Sequence, residues 1–162
     1  MTLGNFKSIL LAISIYGVMV CGTIYPILLG GIDLAVGATA AMSGACVVLT
    51  IVKMDYSFTG VILGILFGLA AGVMAGIAHG AIVSNFNVPP FLITLASQNI
   101  IYGIAQLLTG NQVISCLEPA AFTFLGGGRL FGIPFSVCIL VIVALISFWL
   151  LNRTTFGRQV YA

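Results

Sequence analysis

Residues 56–117 read YSFTGVILGILFGLAAGVMAGIAHGAIVSNFNVPPFLITLASQNIIYGIAQLLTGNQVISCL, 62 positions without a single Asp, Glu, Lys or Arg. An α-helix rises about 1.5 Å per residue and needs roughly 20 residues to cross a hydrocarbon core about 30 Å thick. This run is too long for one crossing, and Asn85-Phe86-Asn87-Val88-Pro89-Pro90 divides it. A Pro pair removes two backbone donors and disfavours helix in the residue before it. Two membrane-crossing helices on either side of that break follow directly.

Outward from this stretch the same pattern recurs. Charge is absent from 8–32, from 34–52 and from 130–152. The reading is an all-α, polytopic membrane protein with five spans, near 8–29, 34–52, 60–84, 91–110 and 130–151, forming one transmembrane region over 1–162. Composition agrees: 61% of residues are hydrophobic and 5% charged. A soluble domain carries about 25% charged residues because water must solvate its surface. Here the lipid bilayer has to be the main solvent.

The same numbers exclude other classes. A net charge of +2, scattered along the chain, gives no footprint for nucleic acid. Cys21, Cys46, Cys116 and Cys138 show neither a CxxC nor a Cys/His spacing, so no metal site or disulfide framework is expected. Asp33, His79 and Ser43 share no spacing that would assemble a nucleophile, base and orienting group, and no catalytic residue is assigned. Gly126-Gly127-Gly128-Arg129 lacks the Gly-Lys-Ser/Thr of a phosphate loop and reads as a flexible external turn.

Arg153 and Arg158 follow the last span and place that end in the cytoplasm by the positive-inside bias. Counting back puts 111–129 outside, 85–90 inside, 53–59 outside, 30–33 inside and the N-terminus outside. Lys7 alone opposes this order.

Three patterns ask for a physical reason. Gly60, Gly64, Gly68, Gly72, Gly76 and Gly80 recur every four residues, which lays a groove free of side chains along one face of the third span. Lipid supplies no hydrophobic force between helices, so close approach through small residues replaces it, and the groove reads as a helix–helix seam. In the fourth span Thr94, Gln98, Tyr102 and Gln106 share the same period, flanked by Ser97 and Asn99. Such a stripe is costly against lipid. It is either hydrogen-bonding glue between helices or the lining of a path for a neutral, hydroxyl-rich solute, since amides and a phenol offer donors and acceptors without charge. The third pattern is Gly30-Gly31-Ile32-Asp33-Leu34-Ala35-Val36-Gly37, a lead-in to the second span formed by Gly30, Gly31, Asp33 and Gly37. Asp33 is placed to cap that helix, or to gate a path as a buried acid. His79 is expected to bond a neighbouring helix.

These motifs carry a family resemblance. Residues 30–37 are similar to the GGIDLSVG signature of the ribose-type permease subunits of bacterial ABC importers. Val88-Pro89-Pro90-Phe91-Leu92-Ile93-Thr94-Leu95 resembles their VPPFIATL stretch, Leu108-Thr109-Gly110-Asn111-Gln112 their LTGGQ, and Thr155-Phe156-Gly157-Arg158-Gln159-Val160-Tyr161-Ala162 their TxxGRxxYA. The resemblance implies half of an ABC importer permease fold in the bacterial cytoplasmic (inner) membrane, importing a monosaccharide or similar small polyol. It further implies a second permease subunit (a homo- or heterodimer), a cytoplasmic ABC ATPase that binds the ATP, and an external sugar-binding protein, with no cofactor on this chain. The sequence departs from the family pattern at His79, where Asn is usual, at Ala96, where Gly is usual, and at Tyr102, where Arg is usual. Family members are longer at both ends, so the chain is expected to be an N-terminal portion that does not transport alone. The rival from another class is a small helical membrane subunit with a packing role and no transport of its own.

Orientation is directly testable, because Cys116 alone among the cysteines lies in a loop that is external in this order. An impermeant thiol reagent applied to intact cells should label Cys116 and spare Cys21, Cys46 and Cys138. Labelling that requires opened membranes would invert the topology.

Overall fold

A computed structural model describes residues 3–130 and 132–161. The chain runs α1 (Leu3–Leu28), α2 (Val36–Lys53), α3 (Phe58–Phe86), α4 (Pro90–Thr109), α5 (Ala120–Gly127), the two-residue strands β1 (Arg129–Leu130) and β2 (Ile133–Pro134), α6 (Phe135–Arg153) and α7 (Thr155–Tyr161). Five of these helices, α1, α2, α3, α4 and α6, are long and apolar enough to cross a membrane. Their outward faces carry Ile13, Leu69, Leu107 and Phe148, among many other exposed large apolar side chains. In water such surfaces would aggregate, whereas in lipid they cost nothing.

The helix ends follow local chemistry. α3 starts earlier than the glycine pattern suggests because the Ser57 hydroxyl accepts from the Gly60 amide at 3.1 Å, an N-cap. It stops at Asn87, which adopts the left-handed conformation at φ 50°. α4 opens on Pro90, whose missing N–H is one that a first-turn residue would leave unbonded anyway. It closes on Gly110 at φ 63°, a conformation that a side chain resists. α6 begins at Phe135, not near 130, because 129–134 form a tight antiparallel hairpin pairing Arg129 with Pro134 and Leu130 with Ile133. The 126–129 run is therefore no flexible turn: Gly126 and Gly127 end α5 and Arg129 starts β1. The tail after Arg153 is likewise helical. Gly157 and Val160 of α7 are buried, and a Cβ on Gly157 would overlap the Leu151 carbonyl.

The chain forms two compact units, 31–122 and the pair of segments 1–30 and 123–162. In the second of these, α1 and α6 run parallel. Ser14 Oγ donates to Ser136 Oγ at 2.8 Å or to the Leu11 carbonyl at 2.7 Å, and Gly17 admits the Leu140 side chain to within 2.7 Å of where a Cβ would stand. Near the end of α1, Tyr25 meets Phe156 of α7, ring centroids 5.8 Å apart.

The unit 31–122 is a three-helix layer in which α2 and α3 are antiparallel. Their seam is built on glycine. A Cβ on Gly64 would stand 2.8 Å from the Val47 carbonyl oxygen, and one on Gly68 would stand 2.5 Å from Val47 Cγ2 and 3.0 Å from the Ser43 carbonyl oxygen. Gly60 faces Met54 and Ile51, and Gly72 faces the Ser43 hydroxyl. Gly76 and Gly80 meet nothing within 4 Å, so the seam occupies the Gly60–Gly72 part of the groove and not its full length. α4 lies parallel to α2, and Ala35, Ala75 and Ile101 form a small three-way core with Ala38 and Met42 against it.

Overpacking a tight apolar contact costs about 1–3 kcal/mol. We therefore expect Gly68→Ala to lower the thermal midpoint of the detergent-solubilised protein and to weaken disulfide cross-linking between cysteines placed on α2 and α3. Gly76→Ala should leave both unchanged. Equal effects from the two substitutions would overturn this account of the seam.

Candidate functional site

The lead-in 31–35 has no regular secondary structure, so its amides need partners from elsewhere. Asp33 Oδ1 accepts from the Ala35 amide at 2.8 Å. Ala35 itself is the N-cap residue of α2 and offers no side-chain cap, so Asp33 does this work from two positions upstream. The preceding amide, Leu34 N–H, donates to the hydroxyl of Thr94 on α4 at 3.1 Å. The single Thr94 proton is within reach of the Ile32, Pro90 and Phe91 carbonyls, at 3.2, 3.0 and 3.2 Å. Gly31, Ala35 and Thr94 are buried. Two of the sequence motifs, the glycine-rich lead-in and the post-proline helix, are thus bonded to each other through one hydroxyl. Gly30 takes the left-handed turn that ends α1, at φ 75°, and Gly37 lies exposed in the first turn of α2.

The rest of the polar stripe behaves differently. Among the described residues, Gln98, Asn99, Tyr102 and Gln106 make no side-chain hydrogen bond to a partner. They line open clefts between α4 and α2. One, about 240 Å³, is bounded by Gln98, Asn99 and Tyr102 against Gly37 and Ala38. The next, also about 240 Å³, sets Tyr102, Gln106 and Asn111 against Ala41 and Ala45. A separate cavity of about 490 Å³ lies on α4 and the turn after it, lined by Gly103, Gln106, Leu107, Gly110 and Asn111, and touches no residue of α2. α2 thus contributes only Gly and Ala to this wall, whose lack of bulk leaves the space, while α4 contributes amides and a phenol. The small-residue wall carries no signal of its own in the sequence, because Ala at 38, 41 and 45 is ordinary in an apolar helix until α4 is laid beside it.

Beside the stripe, His79 Nε2 and Ser97 Oγ lie 2.7 Å apart and tie α3 to α4. Among the described residues no group of three or more His, Cys, Asp or Glu is placed to hold a metal. α4 contains no ionisable carboxylate, guanidinium, ammonium or imidazole from Pro90 to Thr109. What this surface can do chemically is exchange neutral hydrogen bonds with a solute between a polar wall and a small apolar one.

Five helices of membrane length, with a polar cleft between two of them, define a multi-pass membrane protein. The chain belongs to the family described as branched-chain amino acid transport system / permease component, whose model matches residues 5–162. It is 36% identical over 159 residues to the ribose import permease protein RbsC of Bacillus subtilis, covering 98% of this chain and 48% of that protein. To the L-arabinose transport system permease protein AraH of Escherichia coli it is 34% identical over 158 residues, with 98% and 47% coverage. The ribose import permease protein RbsC of Escherichia coli is 32% identical over 164 residues, with 99% and 50% coverage. The chain spans about half the length of the curated relatives it matches. No solved structure matches it. It is a multi-pass protein of the bacterial cytoplasmic (inner) membrane.

Removing the acceptor of a buried amide costs about 1–3 kcal/mol. Thr94→Val should therefore lower the thermal midpoint in detergent and speed hydrogen exchange at Leu34, whereas Thr94→Ser should preserve both. Unchanged exchange at Leu34 in the valine variant would show that the lead-in is held by something else.

Proposed function

We propose that this chain is a transmembrane permease component of an ATP-driven importer, that 1–162 acts as one transmembrane region, and that its solute is a monosaccharide or similar small polyol. The observation that carries the reading is the cleft between α2 and α4. Gln98, Asn99, Tyr102 and Gln106 face it without protein partners, and a solute dense in hydroxyls supplies both the donors and the acceptors that those groups lack. Thr94, at the end of the stripe, holds the lead-in in place and fixes the register of α4 against α2.

The family description mentions branched-chain amino acids, whereas the relatives compared above are named for ribose and arabinose. The stripe favours the sugars. An amino acid is a zwitterion, and burying its two charges calls for opposite charges or aimed dipoles. The fourth span offers neither carboxylate nor cation along its length.

The partners of this reading are a second permease subunit, a cytoplasmic ABC ATPase that hydrolyses the ATP, and an external sugar-binding protein, with no cofactor on this chain. In the proposed orientation the cytoplasmic side carries Arg153, Arg158 and α7, whose exposed Arg158, Gln159 and Tyr161 offer polar surface to a soluble subunit. The parallel courses of α1 with α6, and of α2 with α4, are what alternating crossings require, which supports five consecutive spans.

In full-length protein co-expressed with the ATPase and binding protein, Gln98→Leu and Gln106→Leu should each reduce labelled-sugar uptake about fivefold, the equivalent of one neutral hydrogen bond of ~1 kcal/mol. Protein level and ATPase association should not change. Normal uptake in both variants would favour the packing-subunit reading, with the stripe as glue between helices.

A further inference from the structure

α1 begins at Leu3, so Lys7 lies inside the helix and not ahead of it. Its position is unusual for a charge. Gly4, Lys7, Ser8 and Leu11 occupy one helical face, at i, i+3, i+4 and i+7, and that face continues through Ser14 and Gly17, which meet Ser136 and Leu140 of α6. Lys7 therefore sits on the packing stripe of a membrane helix and is half-buried there. The β1–β2 hairpin brings Arg129 to the same place. Lys7, Ser8 and Leu11 on one side, and Arg129, Gly127 and Pro134 on the other, line a cleft of about 170 Å³. Its lining contains no carboxylate, and among the described residues neither cation has an ion-pair partner. Gly4, in the first turn of α1, adds the end of a helix whose leading amides carry partial positive charge.

Two cations converge here from separate elements at the end of a membrane helix, Lys7 half-buried and Arg129 exposed, with no acid in the cleft, and an anion would offset their repulsion. We infer that the cleft between the first turns of α1 and the β1–β2 hairpin binds a phosphate-class anion, with Lys7 and Arg129 as its charged contacts. Guanidinium and ammonium donors suit phosphate oxygens, the Arg as a fork and the Lys as a point charge. The phosphodiester of an anionic phospholipid is the source nearest to hand, because the exposed apolar side chains of Phe6, Ile9 and Ile13 follow along the same helix and face acyl chains. The inference also removes the anomaly of Lys7 in the charge order of the loops: this residue is a ligand and not a topological signal.

The test is lipid retention by the purified full chain in neutral detergent, read by native mass spectrometry with dioleoylphosphatidylglycerol, dioleoylphosphatidylcholine or inorganic phosphate added. Wild type should retain phosphatidylglycerol in preference to phosphatidylcholine, and raised salt should weaken that preference without any substitution. Lys7→Gln combined with Arg129→Gln should weaken retention about thirtyfold, Lys7→Arg should preserve it, and Lys53→Gln, at the end of α2, should have no effect. Phosphate binding that the same double substitution abolishes, without lipid preference, would assign the site to the free anion. Equal retention of the two lipids together with no phosphate binding, or retention of phosphatidylglycerol that is indifferent to both salt and the double substitution, would overturn the inference.

Discussion

A buried backbone N–H or C=O has no water to fall back on, so an interruption between packed helices must be sealed by the chain itself. The segment between α1 and α2 shows what this demands. Two successive amides, Leu34 and Ala35, lie where no helical carbonyl can reach them, and two side chains take them up: the Thr94 hydroxyl from another helix and the Asp33 carboxylate from the segment itself. Because Thr94 is fixed by its own helix, bonding Leu34 also fixes how far α4 slides along α2. The register of the polar stripe against the wall it faces follows from that bond. The other breaks are sealed more locally, by Ser57 ahead of α3, by Asn87 after it and by Gly110 after α4.

α2 is shared between two neighbours with opposite needs. Towards α3 it presents Ser43, Val47 and Ile51, whose backbone and branched side chains lie close against the glycines. Towards α4 it presents Gly37, Ala38, Ala41 and Ala45, which fill little space. Positions 41 and 43 stand about 200° apart around a helix, so the two faces are nearly opposed. One helix therefore carries a closed seam and an open cleft back to back. The closed side needs no polar groups because contact between backbones supplies dispersion energy. The open side can be polar because nothing large packs into it.

Run lengths and the Pro pair made the five spans legible, since both depend on chain geometry and solvent alone. The ends were less so. Ser57 and Asn87 are ordinary cap residues that set the observed limits of α3, whereas run length and the Pro pair alone give 60–84. Lys7 precedes the uncharged run that starts at residue 8, yet α1 includes it, because a charge near the membrane edge does not end a helix. α5, α7 and the β1–β2 hairpin are too short for a periodicity to declare itself, and Pro134, buried in the hairpin, ends the extended segment before α6. Within the site, the period of four found the stripe, but it could not separate Thr94, which is engaged, from Gln98, Tyr102 and Gln106, which are not. That distinction depends on the partner helix. The Ala wall of α2 was invisible for the same reason.

The cleft is also asymmetric along its length. At the Thr94 end it is shut by hydrogen bonds between the lead-in and α4, and Gly31, Ala35 and Thr94 are buried there. Away from that end it stays open, with Gln98, Asn99 and Tyr102 facing Gly37 and Ala38, and then Tyr102 and Gln106 facing Ala41 and Ala45. The cleft is thus closed at one end and open along the rest of its length. For a path of the alternating-access kind, the nature of that closure matters more than its width. It is built from neutral hydrogen bonds, each worth about 1 kcal/mol net, and from small side chains with little area to re-expose. A closure of charges or of large apolar residues would hold more tightly. This one is made of groups whose separation costs little, provided that the same amides and hydroxyl find other partners as they part.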